Sequence, residues 1–302
     1  MKIIDAHAHV VQYIAGTGSQ GELRACGNGE ARYASGQKIK MIPDGMGEYG
    51  VTPEKLLEVM DANGVEKAVL LQGNYFGFQN LYTYESVKKY PNRFIGAASF
   101  DPYCKNKKKI LTHLFDELGF RILKMEVSTG SGLMCNHETI PLDGQVMDEV
   151  YAYANEKNLV FVMDIGKMGS ESSQIDALCN AIKRYPNMKF VVCHLLAPNL
   201  ESEEQLTEGL IKLRLPNVWF DLAALPNNCK PEKYPYPTAR HYVELAAKLV
   251  GANRLLFGSD IPSTLVADRY EHYISYILES EKLTQEEKRM ILYENAKKVF
   301  FE

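Results

Sequence analysis

Two histidines one residue apart close the first apolar run of the chain, Ile3-Ile4-Asp5-Ala6-His7-Ala8-His9-Val10. On an extended strand Asp5, His7 and His9 fall on one face. Two neutral imidazoles at one strand end can hold a divalent ion at about 2.0–2.1 Å. The alternative, two core histidines, requires a hydrogen-bonding partner for each, because unpaired polar burial is costly. Two further apolar runs end in the same way. Phe190-Val191-Val192-Cys193 leads into His194, and Leu255-Leu256-Phe257-Gly258-Ser259 leads into Asp260-Ile261-Pro262. Packing alone does not place histidine or aspartate at the ends of three separate strands. Phe161-Val162-Met163 ends in Asp164, and Leu123-Lys124-Met125-Glu126 carries Lys124 and Glu126 on one face. Glu126 could add a carboxylate to an ion and Lys124 could hold a substrate carboxylate; equally, the two could form a buried ion pair.

Short apolar runs recur along the chain, at 2–9, 67–72, 93–100, 120–126, 159–164, 189–194, 218–221 and 254–259. Runs of this length, apolar nearly throughout, suit parallel strands buried on both faces. Helical spacing fills the gaps. Thr52-Pro53-Glu54 opens one helix with an N-cap and a first-turn proline. Further helices are expected near 106–118, 143–157, 171–185, 200–213, 239–250, 264–279 and 284–298, and 81–90 can be helical. Thr284 with Glu287 forms a capping box. Eight strands alternating with helices predict an α/β fold, a (β/α)8 TIM barrel, over a doubly wound sheet, whose first turn would be glycine-rich.

Residues 11–50 break the rhythm, being glycine-rich and without a convincing period. They are expected to form a long loop insertion after the first strand, an active-site loop or lid. One domain over 1–302 is the simplest partition.

The 302 residues are 46% apolar and 24% charged, which excludes a disordered or fibrous chain. Lys plus Arg total 34 against 38 Asp plus Glu, net −4, so nothing marks a nucleic-acid or anionic-membrane partner. Six scattered cysteines without a C-x-x-C pair read as thiols of a reducing compartment. Neither a signal peptide nor a run of membrane-spanning length is evident. A cytoplasmic protein with a small-molecule substrate is expected.

The phrases IIDAHAHV, FVVCHLLAP and LLFGSDIP, in this order across nearly the whole chain, resemble the amidohydrolase-related (amidohydrolase 2) group of metal-dependent TIM-barrel hydrolases. The resemblance implies that His7 and His9 bind one divalent metal, that His194 binds the metal or a polar substrate group, and that Asp260 is metal-adjacent and the general base. It is similarly consistent with a homodimer. One position departs from the pattern: Asp164 stands where such proteins usually place a histidine. As a ligand, Asp164 would add a hard oxygen donor and shift the choice among zinc, manganese and magnesium towards the last two. It could instead orient a ligand histidine or answer a basic substrate group.

Three readings are compatible with these residues. The first is a metal-dependent hydrolase of a small carboxylated or cyclic amide, ester or lactone, with Asp260 and His194 catalytic. The second is a decarboxylase or hydratase of an aromatic or unsaturated acid. The third is a metal-free lactonase or a non-catalytic binding barrel. Arg240, His241 and His137, in or just after strand-to-helix connections, are further candidates for substrate contact, whereas His113 and His272 read as surface residues. Gln72, Asn74, Ser99, Asp101 and Asp221 read as loop caps. Cys193 is expected to face the helix layer, away from His194.

Overall fold

In the computed structural model, which describes residues 1–302, the apolar runs pair side by side into one parallel sheet. Strand β1 is Ile3–Ala8. An insertion contributes β2 (Ala15–Gly18), β3 (Gly21–Gly27), β4 (Glu30–Tyr33) and β5 (Lys38–Lys40). The remaining strands are β6 (Val65–Leu70), β7 (Phe94–Ala98), β8 (Ile122–Glu126), β9 (Val160–Asp164), β10 (Phe190–Val192), β11 (Val218–Asp221) and β12 (Leu255–Leu256). The eight-stranded sheet runs β1-β6-β7-β8-β9-β10-β11-β12. It closes where Ala6 N donates to Phe257 O at 2.8 Å, Asp260 N to His7 O at 2.7 Å and His9 N to Ile261 O at 3.0 Å. Helices between the strands complete a nearly closed (β/α)8 TIM barrel.

Ile4, Ala6, Val69, Leu71, Ile122, Val162, Val191, Trp219 and Leu256 fill the barrel interior, and Ala296, Val299 and Phe300 of the C-terminal segment plug its floor. A larger apolar layer lies between strands and helices. The helix Pro53–Ala62 starts as its sequence dictates, with Thr52 accepting from Lys55 N at 3.3 Å, and the Thr284–Glu287 capping box forms. Residues 81–90 are helical within Asn80–Lys89.

Two elements differ from expectation. The last barrel strand is only Leu255–Leu256, because the chain beyond it bends over β1: a Cβ on Gly258 would lie 2.8 Å from that of His7. The insertion is no patternless loop but a four-stranded antiparallel sheet, β2-β3-β4-β5. Leu23 and Ala25 on β3 alternate inward and meet Ala31 and Tyr33 of β4 in a small core. Asn28 (φ 53°) and Gly29 (φ 68°) turn the chain between the paired Gly27 and Glu30. An Asn-Gly pair in this conformation is the favoured two-residue hairpin turn. The sheet rests on the loop after β6, with Thr17 N donating to Asn74 O and Ala15 N to Phe76 O. Contact there is so close that a Cβ on Gly16 would fall 2.1 Å from Tyr75 O, so the insertion is a fixed roof.

Candidate metal centre and active site

Strand alternation alone does not carry His7 and His9 to the mouth. Opposite β6, Asp5 pairs with Ala68 and Ala8 with Leu70, so β1 spends one extra residue between them. Such a bulge swaps the faces of the residues beyond it. Ile4 and Ala6 therefore point into the barrel below it, and His7 and His9 point into the mouth above it. Asp5, expected on the same face as the two histidines, is turned away. It accepts from Ser259 N at 3.0 Å, Ser259 Oγ at 2.5 Å and the Tyr270 hydroxyl at 2.7 Å, the last from the outer helix layer. Its total burial pushes its pKa up to about 6, against these hydrogen bonds.

His194 arrives by a different route. Val191 and Cys193 face the barrel interior, which corrects the expectation that Cys193 looks to the helices, and simple alternation would then send His194 outward. Instead His194, Leu195, Leu196 and Ala197 all adopt positive φ, 59°, 50°, 68° and 48°, and this left-handed run swings the imidazole back over the mouth. Asp260 is left-handed too, at φ 62°. Non-glycine residues in this region cost on the order of 1–3 kcal/mol each and gather at functional sites.

Each imidazole is tied down by Nδ1. That of His7 lies 3.1 Å from Asp221 Oδ2, that of His9 2.9 Å from Leu71 O and that of His194 2.9 Å from Ala223 O. All three partners are acceptors, so each Nδ1 carries hydrogen and each neutral ring has a bare Nε2. Yet every Nε2 faces a carboxylate oxygen. His9 and His7 point at Asp260 Oδ1, at 3.0 and 3.6 Å, and His194 points at Asp164 Oδ2 at 3.4 Å. Lone pairs opposed at such distances require a cation between them, either a proton or a metal. The ligand atoms of His7, His9 and Asp260 all lie within 4.8 Å of one another. Burial, assisted by Lys124, lowers His7 to about 4 against Asp221 and Asp260. The donor set of His7, His9 and Asp260 fits a divalent metal.

The His194–Asp164 pair is of another kind. Burial lowers the pKa of His194, but Asp164, Asp221 and Asp260 outweigh it and raise the ring to about 10. Asp164, despite its burial, is held well below the usual carboxylate range by His194 and Lys124. The structure thus places Asp164 outside the His7–His9–Asp260 group, as the counter-ion of His194.

Lys124 and Glu126 stand inside the barrel as their shared face requires, 2% and 7% exposed. Glu126 is engaged, accepting from Ser131 Oγ and Asn74 N, both at 2.5 Å. Burial works against the Lys124 ammonium, but Cys193, Asp164, Glu126 and Asp221 together keep it charged. No hydrogen bond or ion pair to protein occupies it. His7, His9, His194, Lys124, Asp164 and Asp260 all open onto one cavity of about 550 Å³. Ile39 and Lys40 of the inserted sheet and the following Met41 roof it, and Thr129, Lys167 and Asn228 line its walls.

Arg240 and His241 do not belong to this cavity. Both lie on the helix Pro237–Val250, where Arg240 bonds Tyr276 O and Glu279 and His241 faces Glu203 at 3.1 Å. The helix begins early enough that positions 240 and 241 point at neighbouring helices. His137 pairs with Asp101 at 2.9 Å and packs on Tyr103, also outside the cavity. Gln72 is a cap, holding Thr83, Ala97 O and Gln79 N, though it also reaches the cavity wall. Asp221, which reads as a cap in the sequence, turns out to touch both His7 and His194. No spacing rule separates it from the other strand-end carboxylates.

A sequence profile described as Amidohydrolase matches residues 4–301. No curated protein matches. Among solved structures, an amidohydrolase from Burkholderia multivorans with bound zinc superposes with a TM-score of 0.73 at 15% identity, covering 100% of this chain and 99% of that one. A probable 2-pyrone-4,6-dicarboxylic acid hydrolase from Acinetobacter baumannii, with citric acid bound, gives 0.71 at 16% identity and covers 100% of both chains. A 5-carboxyvanillate decarboxylase from Sphingomonas paucimobilis gives 0.57 at 14% identity, covering 81% of this chain and 82% of that one.

Proposed function

The chain belongs to the amidohydrolase family, whose profile spans it almost end to end, and from that premise we propose that it is a metal-dependent hydrolase of a small carboxylated or cyclic amide, ester or lactone. The observation that carries this reading is the meeting of two bare Nε2 atoms on Asp260 Oδ1 at the wall of the cavity. His7, His9 and Asp260 would hold the ion. When bound, such an ion lowers the pKa of a water from 15.7 towards about 7 and polarises a carbonyl. With Asp164 engaged by His194, the donors are two imidazole nitrogens and one carboxylate oxygen, a set that favours zinc or manganese over magnesium.

Asp260 uses Oδ1 towards the histidines, which leaves Oδ2 to take the proton of the attacking water and return it to the leaving group. His194, drawn towards the imidazolium form by Asp164, shares its Nε2–H between the long 3.4 Å contact to Asp164 and the substrate oxygen on which charge develops. Lys124, charged and without a protein partner, holds a substrate carboxylate. Glu126 ties the loop of Asn74 to the loop of Ser131 at the wall of the cavity.

A second reading, a decarboxylase or hydratase, is favoured by one feature: an imidazolium over the cavity is also a proton donor to carbon. A panel of lactones, esters and amides set beside aromatic and unsaturated acids, with carbon dioxide release followed directly, separates the two. Hydrolysis faster than any carbon dioxide release is expected. Carbon dioxide from any acid at a rate above every hydrolytic substrate overturns the first reading in favour of the second.

A further inference from the structure

We infer that Asp221 is a positioning residue that sets His7 and His194 together, so that both present Nε2 to the cavity as a matched pair. Its carboxylate is fully buried at the end of β11 and entirely committed. Oδ2 meets His7 Nδ1 at 3.1 Å; Oδ1 accepts from His194 N at 2.8 Å and from Ala223 N at 3.1 Å. Two residues on, the Ala223 carbonyl accepts from His194 Nδ1 at 2.9 Å. The end of β11 is therefore a bracket that grips His194 at its backbone and its ring while gripping His7 by its ring.

The chemistry of the carboxylate makes the bracket directional. An ionised carboxylate only accepts hydrogen bonds, so His7 must carry its hydrogen on Nδ1 and keep its lone pair on Nε2. The opposite tautomer would set a bare Nδ1 against a buried carboxylate. The left-handed turn at His194 depends on the same group, because one of its strained residues has its amide satisfied by Asp221 Oδ1. Losing Asp221 disturbs both rings at once.

The inference rests on the proposed metal reading for its consequence, although not for its geometry. Asp221→Asn isolates it. Asparagine keeps one acceptor for the two backbone amides and must turn its NH₂ to His7, since the reverse orientation opposes two N–H donors. His7 is then driven to the tautomer with hydrogen on Nε2, which cannot ligate.

The test uses the full-length chain, ¹⁵N-labelled and stripped of metal. Long-range proton–nitrogen spectra assign the His7 ring by difference from a His7→Asn variant, and Zn²⁺ affinity is read by competition with a chromophoric chelator. The wild-type ring is expected to show hydrogen on Nδ1 and a bare Nε2. In Asp221→Asn the pattern reverses and Zn²⁺ affinity falls roughly 10–100-fold, the usual effect of removing such a partner. A wild-type ring with hydrogen on Nε2 overturns the inference, and that spectrum decides the matter even where the variant fails to fold. So does a variant that keeps both the tautomer and the wild-type affinity. Should the wild-type chain bind no Zn²⁺ while its ring shows the expected tautomer, the metal reading falls and the positioning role of Asp221 stands.

Discussion

At the floor of the barrel Ala296, Val299 and Phe300 lie against Ile4, Ile122, Val162 and Leu256 in an apolar contact, with Lys189 bonding Lys298 O and Val299 O at its edge. At the mouth the same strands present His7, His9, Lys124, Glu126, Asp164, Asp221 and Asp260. One cylinder thus ends in a close-packed apolar plug and, at the other end, in a crowd of buried charges under left-handed backbone. Stability and chemistry have been separated along the barrel axis, as the fold permits. The floor needs only volume and shape; the mouth needs each donor matched to an acceptor or a cation. A change at one end should leave the other end nearly untouched.

Asp260→Asn tests the mouth with the largest effect. Turnover should drop roughly 10²–10⁴-fold, the range of a lost proton-transfer group, with little change in melting temperature. Retained turnover would remove Asp260 from the base role, and a collapse in stability would show that the two ends are not independent. Phe300→Ala is the complement at the floor. It should lose about 3–5 kcal/mol in denaturant unfolding while metal affinity stays at the wild-type value. A parallel fall in affinity would mean that the plug helps to shape the mouth.

The inserted sheet sharpens the contrast, since it serves the mouth without belonging to the barrel. In Gly16→Ala the new methyl has to displace the Tyr75 carbonyl. Such overpacking costs about 1–3 kcal/mol and shifts the roof formed by Ile39 and Met41. The expected readout is a raised KM with little change in kcat; an altered kcat with KM intact would place the sheet in the chemistry itself. The smallest effect lies on the outside of the barrel. Glu54 is drawn down from 4.5 to about 2 by hydrogen bonds from Lys89 and Tyr90. Its folded pKa is depressed, so its contribution is present above pH 4.5 and fades as pH falls towards 2. Glu54→Gln should flatten the acid limb of the stability curve by no more than about 1 kcal/mol, as befits an exposed pair, and should leave activity at neutral pH alone.

How far the sequence could be read obeys the same division. The barrel was readable because buried parallel strands announce themselves as apolar runs, and because His7, His9, His194 and Asp260 sit at the ends of such runs. The features of the mouth that escaped depend on a break in alternation. The extra residue in β1 sends Asp5 outward while keeping His7 and His9 inward, and the left-handed turn that recovers His194 once Cys193 has taken the interior position has no signature in residue types. Arg240 and His241 fail for lack of helical phase: only the packing of their helix decides which way they point. The hairpins of the insertion are a different case. Asn28-Gly29 between alternating Leu23, Ala25 and Ala31, Tyr33 is a readable turn signal, hidden by strands too short and too rich in glycine to register as a period.

Both the chemistry and the division of the barrel depend on the three-group centre formed by His7, His9 and Asp260. Calorimetric titration of the chelator-stripped chain with Zn²⁺ and with Mn²⁺, repeated on the His7→Ala/His9→Ala double variant, tests it most directly. A single ion per chain, bound tightly by the wild type and not by the variant, is the predicted result. No binding in the wild type, or binding that survives the loss of both imidazoles, would contradict the account.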